Sequence, residues 1–215
     1  MKNELLYTVL TDGPSDEALL PILTWLLREQ NIQCAIQAEW ADLRRIPNPP
    51  QELPERIEKA LDLYPCDLLF IHRDAEKSPY ENRKREIETA IRNVTEKGVI
   101  PPSVCVIPIR MLEAWLLFEE DAIRKASGNP NGRDSLNLPR LSQLERLPDP
   151  KEVLHNLIKI ASGRNVHRQK KLNLGLITRR IAGLINDYSP LRKLSAFSCL
   201  ETELNQVVDS QAWNT

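Results

Sequence analysis

The stretch TVLTDGPSDEALLPIL, Thr8 to Leu23, carries the first decision about the fold. Leu5 to Thr11 (LLYTVLT) is apolar and reads as a buried strand. It stops abruptly at Asp12-Gly13-Pro14. From Ser15 to Gln30, apolar residues recur at 18, 19, 22, 23, 26 and 27, the stripe of an amphipathic helix. Pro21 lies inside that stripe and predicts either a kink or a later helix start, because proline cannot donate to the preceding turn. The reading is strand, acidic turn, helix.

The same unit recurs downstream. Gln33 to Trp40 alternates like a strand, and the proline-rich segment Pro47 to Pro54 is a loop. Pro54 to Leu63 is a helix with proline at its start. Cys66 to Ile71 (CDLLFI) is a short apolar run, typical of a strand covered on both faces. A helix over Glu81 to Lys97, a strand over Val104 to Ile109 and a helix over Met111 to Ala126 follow. Four strand–helix alternations predict an α/β fold, a mostly parallel sheet flanked by helices with right-handed crossovers. Beyond Ser127 the character changes. GNPNGRD (128–134) is a loop, and 150–161, 172–186 and 200–208 read as helices. The expected organisation is an α/β core over 1–126 and a mainly helical C-terminal extension over 127–215, packed on the core.

A chain of 215 residues can bury a sizeable core without staples. Its net charge of −1 neither requires nor excludes a nucleic-acid partner, because a local patch outweighs the sum. The four cysteines form no CxxC pair and read as free thiols in a reducing compartment. His72, His155 and His167 lack zinc spacing. No apolar run can span a bilayer, and the N-terminus has no signal-peptide core. The expectation is a cytoplasmic protein with no membrane partner.

In an open parallel sheet, ligands bind outside the carboxyl ends of the strands. Two acidic clusters fall there: Asp12, Asp16 and Glu17 after the first strand, and Asp74 and Glu76 after the Cys66 to Ile71 strand. Carboxylates held close repel one another and need protons, cationic partners or a divalent cation. Oxygen-only ligands favour Mg²⁺ or Mn²⁺, and Mg²⁺ commonly bridges phosphate oxygens, which points to phosphoryl chemistry. The plainer reading of Asp16 and Glu17 is helix capping, with Ser15 itself a good N-cap. Glu113, just past the fourth strand, reads first as an acid complementing a helix start. Arg110 reads first as the partner of an acid.

Asp-Gly-Pro-Ser-Asp after a first strand and Asp-Ala-Glu after a later one resemble the Toprim domain. That is the metal-binding catalytic domain of topoisomerases, bacterial primases, recombination proteins and OLD-family nucleases. The Toprim pattern is a Glu-Gly pair, an acid three residues past the glycine, and a later Asp-x-Asp. Asp12-Gly13, Asp16, and Asp74 with Glu76 fall at those positions, and the resemblance covers residues 5–110. Over its whole length the chain is similar to a group of bacterial proteins related to Toprim, the DUF4276 type, through Ile109 to Leu117 (IRMLEAWLL) and Asp149-Pro150-Lys151-Glu152. The chain departs from the pattern twice. Asp12 replaces Glu, shortening that side chain by about 1 Å where metal distances tolerate only ~0.2 Å. Glu76 replaces the second Asp and is longer.

The resemblance implies a Toprim/Rossmann-like sheet and a Mg²⁺ (or Mn²⁺) site. Asp74 and Glu76 would hold the cation, with Asp12 as third ligand or acid/base, and Asp16 or Glu17 would support a second cation or orient water. The function expected is metal-dependent phosphodiester hydrolysis on nucleic acid. A non-catalytic binding or assembly subunit of a bacterial defence-type system, with an operon partner, is the alternative. A small-nucleotide phosphohydrolase is the third. Ser162 to Arg180 contains Arg164, Arg168, Lys170, Lys171, Arg179 and Arg180 and no acid. Arg168, Lys170 and Lys171 are the expected backbone-phosphate contacts. Arg83 to Arg85 reads as a solvated helix face. The scarcity of aromatics beside these basic residues gives no sign of a base-stacking platform.

Overall fold

A computed structural model describes residues 3–214. Four strands, β1 (Glu4–Leu10), β2 (Ala35–Ala41), β3 (Leu68–His72) and β4 (Ser103–Val106), form one sheet in the order β2-β1-β3-β4. All neighbours pair in parallel. The chain steps outward from β1 to β2, then returns across β1 to lay down β3 and β4. The strand order therefore reverses between β1 and β3, and a crevice opens at their carboxyl ends.

Alternation along the strands sends side chains to two apolar layers. Leu5, Tyr7, Val9, Phe70 and Val104 meet Leu19, Leu23 and Leu26 of α1 (Leu19–Glu29). Leu10, Leu69, Ile71 and Cys105 meet Ile57 of α2 (Leu53–Leu63) and Ile87 and Ala90 of α3 (Tyr80–Thr95). The α1 crossover travels one way across the sheet and the α2 and α3 crossovers the other. With one handedness they must cover opposite faces.

Pro21 resolves as a later start. A 3-10 turn, Pro14–Ala18, precedes α1, and Pro21 is the third residue of the helix, where no intrahelical donor is missed. The helix expected over Met111 to Ala126 is divided. A 3-10 turn, Leu112–Leu116, is buried at every residue, which a surface helix with one apolar stripe cannot achieve. The chain then restarts as α4 (Glu120–Ala126), where the Glu119 side chain accepts from the Asp121 N–H.

The C-terminal part contributes α5 (Pro150–Ala161), α6 (Val166–Gln169), α7 (Leu174–Leu184) and α8 (Ser195–Gln211). Leu154, Ile158, Ile181, Phe197 and Leu200 belong to the same apolar cluster as Leu5 and Phe70. Trp115 meets Phe197 edge to face at 5.2 Å. These helices complete the core on the α1 side of the sheet. At the β4 edge, Glu203 of α8 accepts the Cys105 backbone N–H at 2.7 Å. All four cysteines are free thiols, Cys105 buried and Cys199 exposed. No helix of the described residues is long and apolar enough to cross a membrane.

Candidate functional site at the carboxyl edge of the sheet

The turn after β1 and the turn after β3 face each other across the β1/β3 switch, as the acidic residues had suggested. The structure divides those acids into separate groups.

Asp12 is claimed by two arginines. Arg56 of α2 reaches its Oδ1 at 2.5 Å and Arg73 reaches its Oδ2 at 2.7 Å. Arg56 also donates to the Thr11 carbonyl, and Arg73 also pairs with Glu86. Glu17 is ion-paired with Arg179 of α7. Glu76 is exposed at a left-handed position, φ 53°, and its backbone exchanges hydrogen bonds with Arg110. No hydrogen bond or ion pair holds its carboxylate among the described residues. Arg168, Lys170 and Lys171 are exposed in and just after α6. From that basic stretch, Arg179 reaches the acidic edge.

Asp16 turns inward instead. It is 7% exposed, and its Oδ2 accepts the Gly13 N–H at 2.8 Å while Ser15 donates to its Oδ1 at 3.2 Å. Capping and convergence therefore occur in one residue. Beside it lies His72, the last residue of β3, only 2% exposed. His72 Nε2 sits 3.2 Å from Asp74 Oδ1, and its Nδ1 sits 3.5 Å from Asp16 Oδ2. The first is a hydrogen bond. The second is an ion pair too long for a strong one, and Nδ1 has no other partner. Burial alone would strip the imidazole of its proton, but the flanking carboxylates outweigh it and lift the His72 pKa to about 10. Burial likewise works against the charge of Asp16, and His72 with the Gly13 N–H and Ser15 hydroxyl holds its pKa below the usual range. At neutral pH a charged imidazolium therefore sits between the Asp16 and Asp74 side chains. Asp74 Oδ1 also accepts the Leu112 N–H at 2.9 Å. Its other oxygen takes no protein hydrogen bond among the described residues.

A second pair closes over this array. Glu113, from the buried 3-10 turn, is 2% exposed, and Lys151 from the first turn of α5 reaches its Oε1 at 3.2 Å without good hydrogen-bond alignment. Burial raises the Glu113 pKa, Lys151 opposes this only in part, and Asp74 adds to it. The Lys151 ammonium feels burial too, but Glu113, Asp16 and Asp74 together keep it firmly charged. Five ionisable groups from four segments thus share one crevice: Asp16, His72 with Asp74, Glu113 and Lys151.

The expected divalent cation can be tested against this donor set. Asp12 is held by Arg56 and Arg73, Glu17 by Arg179, and Asp16 by His72, while Glu76 stands apart. Among the described residues, no group of three or more His, Cys, Asp or Glu is placed to hold a metal ion. The side chains as arranged do not fit a resident cation.

No family model, curated protein or solved structure matches the chain.

Sequence reasoning weighed His72 only for zinc spacing, passed over Arg56 and Arg73, and met Lys151 only within the Asp149-Pro150-Lys151-Glu152 segment. One signal for His72 was available: a titratable residue ending an otherwise apolar strand, two residues before an acid. Lys151 carries no local signal, because only the docking of α5 brings it to the crevice.

Proposed function

We propose that the crevice hydrolyses phosphodiesters, with nucleic acid as substrate. The observation that supports this reading is the convergence of buried Asp16, His72 and Glu113 with half-buried Asp74 and Lys151 at the switch point of a parallel sheet. Perturbed titratable groups gathered in such a crevice mark candidate catalytic sites. Their roles follow from their surroundings. His72 is charged at neutral pH and cannot serve as a base; it fixes Asp16 and Asp74. The uncommitted oxygen of Asp74 accepts a proton from the attacking water. The water oxygen bonds to phosphorus, the ester P–O bond breaks, and Glu113, whose hold on a proton is strengthened by burial, supplies the proton to the leaving oxygen. Lys151 stabilises the negative charge that grows on the phosphoryl oxygens.

No step here passes through a metal ion. A Mg²⁺ or Mn²⁺ requirement enters as an arm of the test. The assay is cleavage of single- and double-stranded DNA and RNA, with and without each cation, by the parent protein and by Asp74→Asn and Lys151→Met. We expect either substitution to lower the rate by about 10²-fold or more. Activity that survives Asp74→Asn removes the proposed site.

One observation favours a second reading. Apart from Glu76, the acids named at this edge already have cationic partners, as in a structural ion network. On that reading the chain is a non-catalytic binding or assembly subunit of Toprim-like ancestry. Oligonucleotide binding without turnover under every cation condition would select it.

A further inference from the structure

A cavity of about 280 Å³ lies beside the acidic crevice, between the segment after β2 and the start of α7. Ser15, Trp40, Arg44, Arg45, Asn173 and Arg179 are among its lining residues, and no carboxylate is. Three guanidinium groups facing one concavity repel one another unless anions compensate them.

The compensation is arranged in a particular way. Asp42, buried at the base of the segment, accepts a hydrogen bond from Arg44 Nε at 2.7 Å and forms an ion pair with Arg45 Nε at 3.0 Å, without hydrogen-bond alignment. One carboxylate therefore gathers two arginines by their inner nitrogens. Among the described residues, no hydrogen bond or ion pair engages the terminal nitrogens of either. Those are the forks that grip a second oxyanion. Arg44 also stacks on Trp40, its guanidinium carbon 5.2 Å from the ring centroid, and the Trp40 Nε1–H donates to Thr11 Oγ1, fixing the ring. Arg179 is tied to Glu17 through one terminal nitrogen. The cavity adjoins the acidic crevice, since Ser15, which donates to Asp16, lines it. The exposed Lys170 and Lys171 lie three and two residues before Asn173.

We infer that this cavity is a phosphate subsite for single-stranded nucleic acid, resting on the phosphodiester reading above. Arg44, Arg45 and Arg179 grip a backbone phosphate neighbouring the one to be cleaved. The Trp40–Arg44 stack offers a flat surface to the adjoining base.

The test is fluorescence anisotropy of short labelled single-stranded DNA and RNA on an Asp74→Asn background, which separates binding from turnover. Arg45→Ala is combined with Arg179→Ala; the Arg45 side chain is 84% exposed, so the fold is not at stake there, and a thermal melt checks the pair. We expect affinity to fall about tenfold or more, and the slope of log K against log salt to shrink by roughly 0.7 per arginine removed. Unchanged affinity and slope overturn the subsite, as does failure of the parent to bind either strand. Inorganic phosphate distinguishes a lone phosphate from a polymer. Competition that needs Arg45 and Arg179 places phosphate in the cavity, whereas competition indifferent to both places it elsewhere and overturns the inference. Arginine-dependent binding without cleavage by the parent sinks the hydrolysis reading and leaves the subsite. Cleavage with a KM indifferent to both arginines does the reverse.

Discussion

His72 is the residue on which the carboxyl edge turns, and its energetics are readable in solution. Its folded pKa stands above its unfolded value of 6.5, at about 10. The stabilisation is therefore fully present below pH 6.5 and is lost as pH rises toward 10. Asp16 has the opposite shift, so the same contact also weakens as acid protonates its carboxylate. These are two views of one interaction and do not add. In His72→Gln, urea unfolding between pH 6 and 10 should lose most of this slope. Stability at pH 6.5 should fall by about 3–5 kcal/mol, because Asp16 is left buried without its cation. A variant whose unfolding keeps the parental slope would refute this account of His72. The sequence made part of this network legible. Asp16 and Asp74 were visible because acids at strand ends have few structural reasons to exist, and Glu113 was visible as a candidate. Asp12 and Glu76 stood out equally, yet Asp12 is taken by Arg56 and Arg73, and Glu76 stands clear of the crevice. Which acid faces inward depends on turn geometry and on arginines from α2 and the β3 turn, and no local pattern encodes either.

Among the elements, strands and crossover helices were the most legible, because a run covered on both faces or an amphipathic stripe is a property of the residues alone. The divided helix over 111–126 was not. Leu112 to Leu116 has the apolar content of a helix, yet it is a buried 3-10 turn, a distinction that apolar content does not encode. The exit from α5 offers a test of element-level reasoning. Gly163 follows the last turn at φ 60°, and a β-carbon there would meet Asn129 Nδ2 at 2.9 Å. Asn129 Nδ2 also donates to the Ala161 carbonyl, so it is not free to retreat without losing that bond. Gly163→Ala combines left-handed strain with this approach, and should lower stability by about 1–2 kcal/mol in a denaturant melt. Gly98, which has open space around it, is the control: Gly98→Ala should change stability by less than half as much.

For the whole molecule, the 127–215 extension, expected to pack on the 1–126 core, shares an apolar cluster with it. One apolar cluster runs from Leu5 and Phe70 through Leu154 and Ile181 to Leu200. Tryptophan fluorescence and far-UV circular dichroism should therefore report one coincident unfolding transition. A chain ended at residue 126 exposes the α1 side of its core and should aggregate or stay partly unfolded. Two separated transitions in the full chain would contradict this.

The contact between Glu203 and the Cys105 N–H, noted above as a detail of α8 packing, also governs how the sheet meets its surroundings. A parallel sheet has two outer borders, and an unpaired border is a template on which another chain can build. On the β4 side an amide is already spoken for by a carboxylate, and a seventeen-residue helix lies against a four-residue strand. On the β2 side, seven residues run with Gln37 and Glu39 outward, guarded by polarity and charge alone. The sheet is sealed at one border and merely discouraged at the other, so any growth of it, native or pathological, has a single direction.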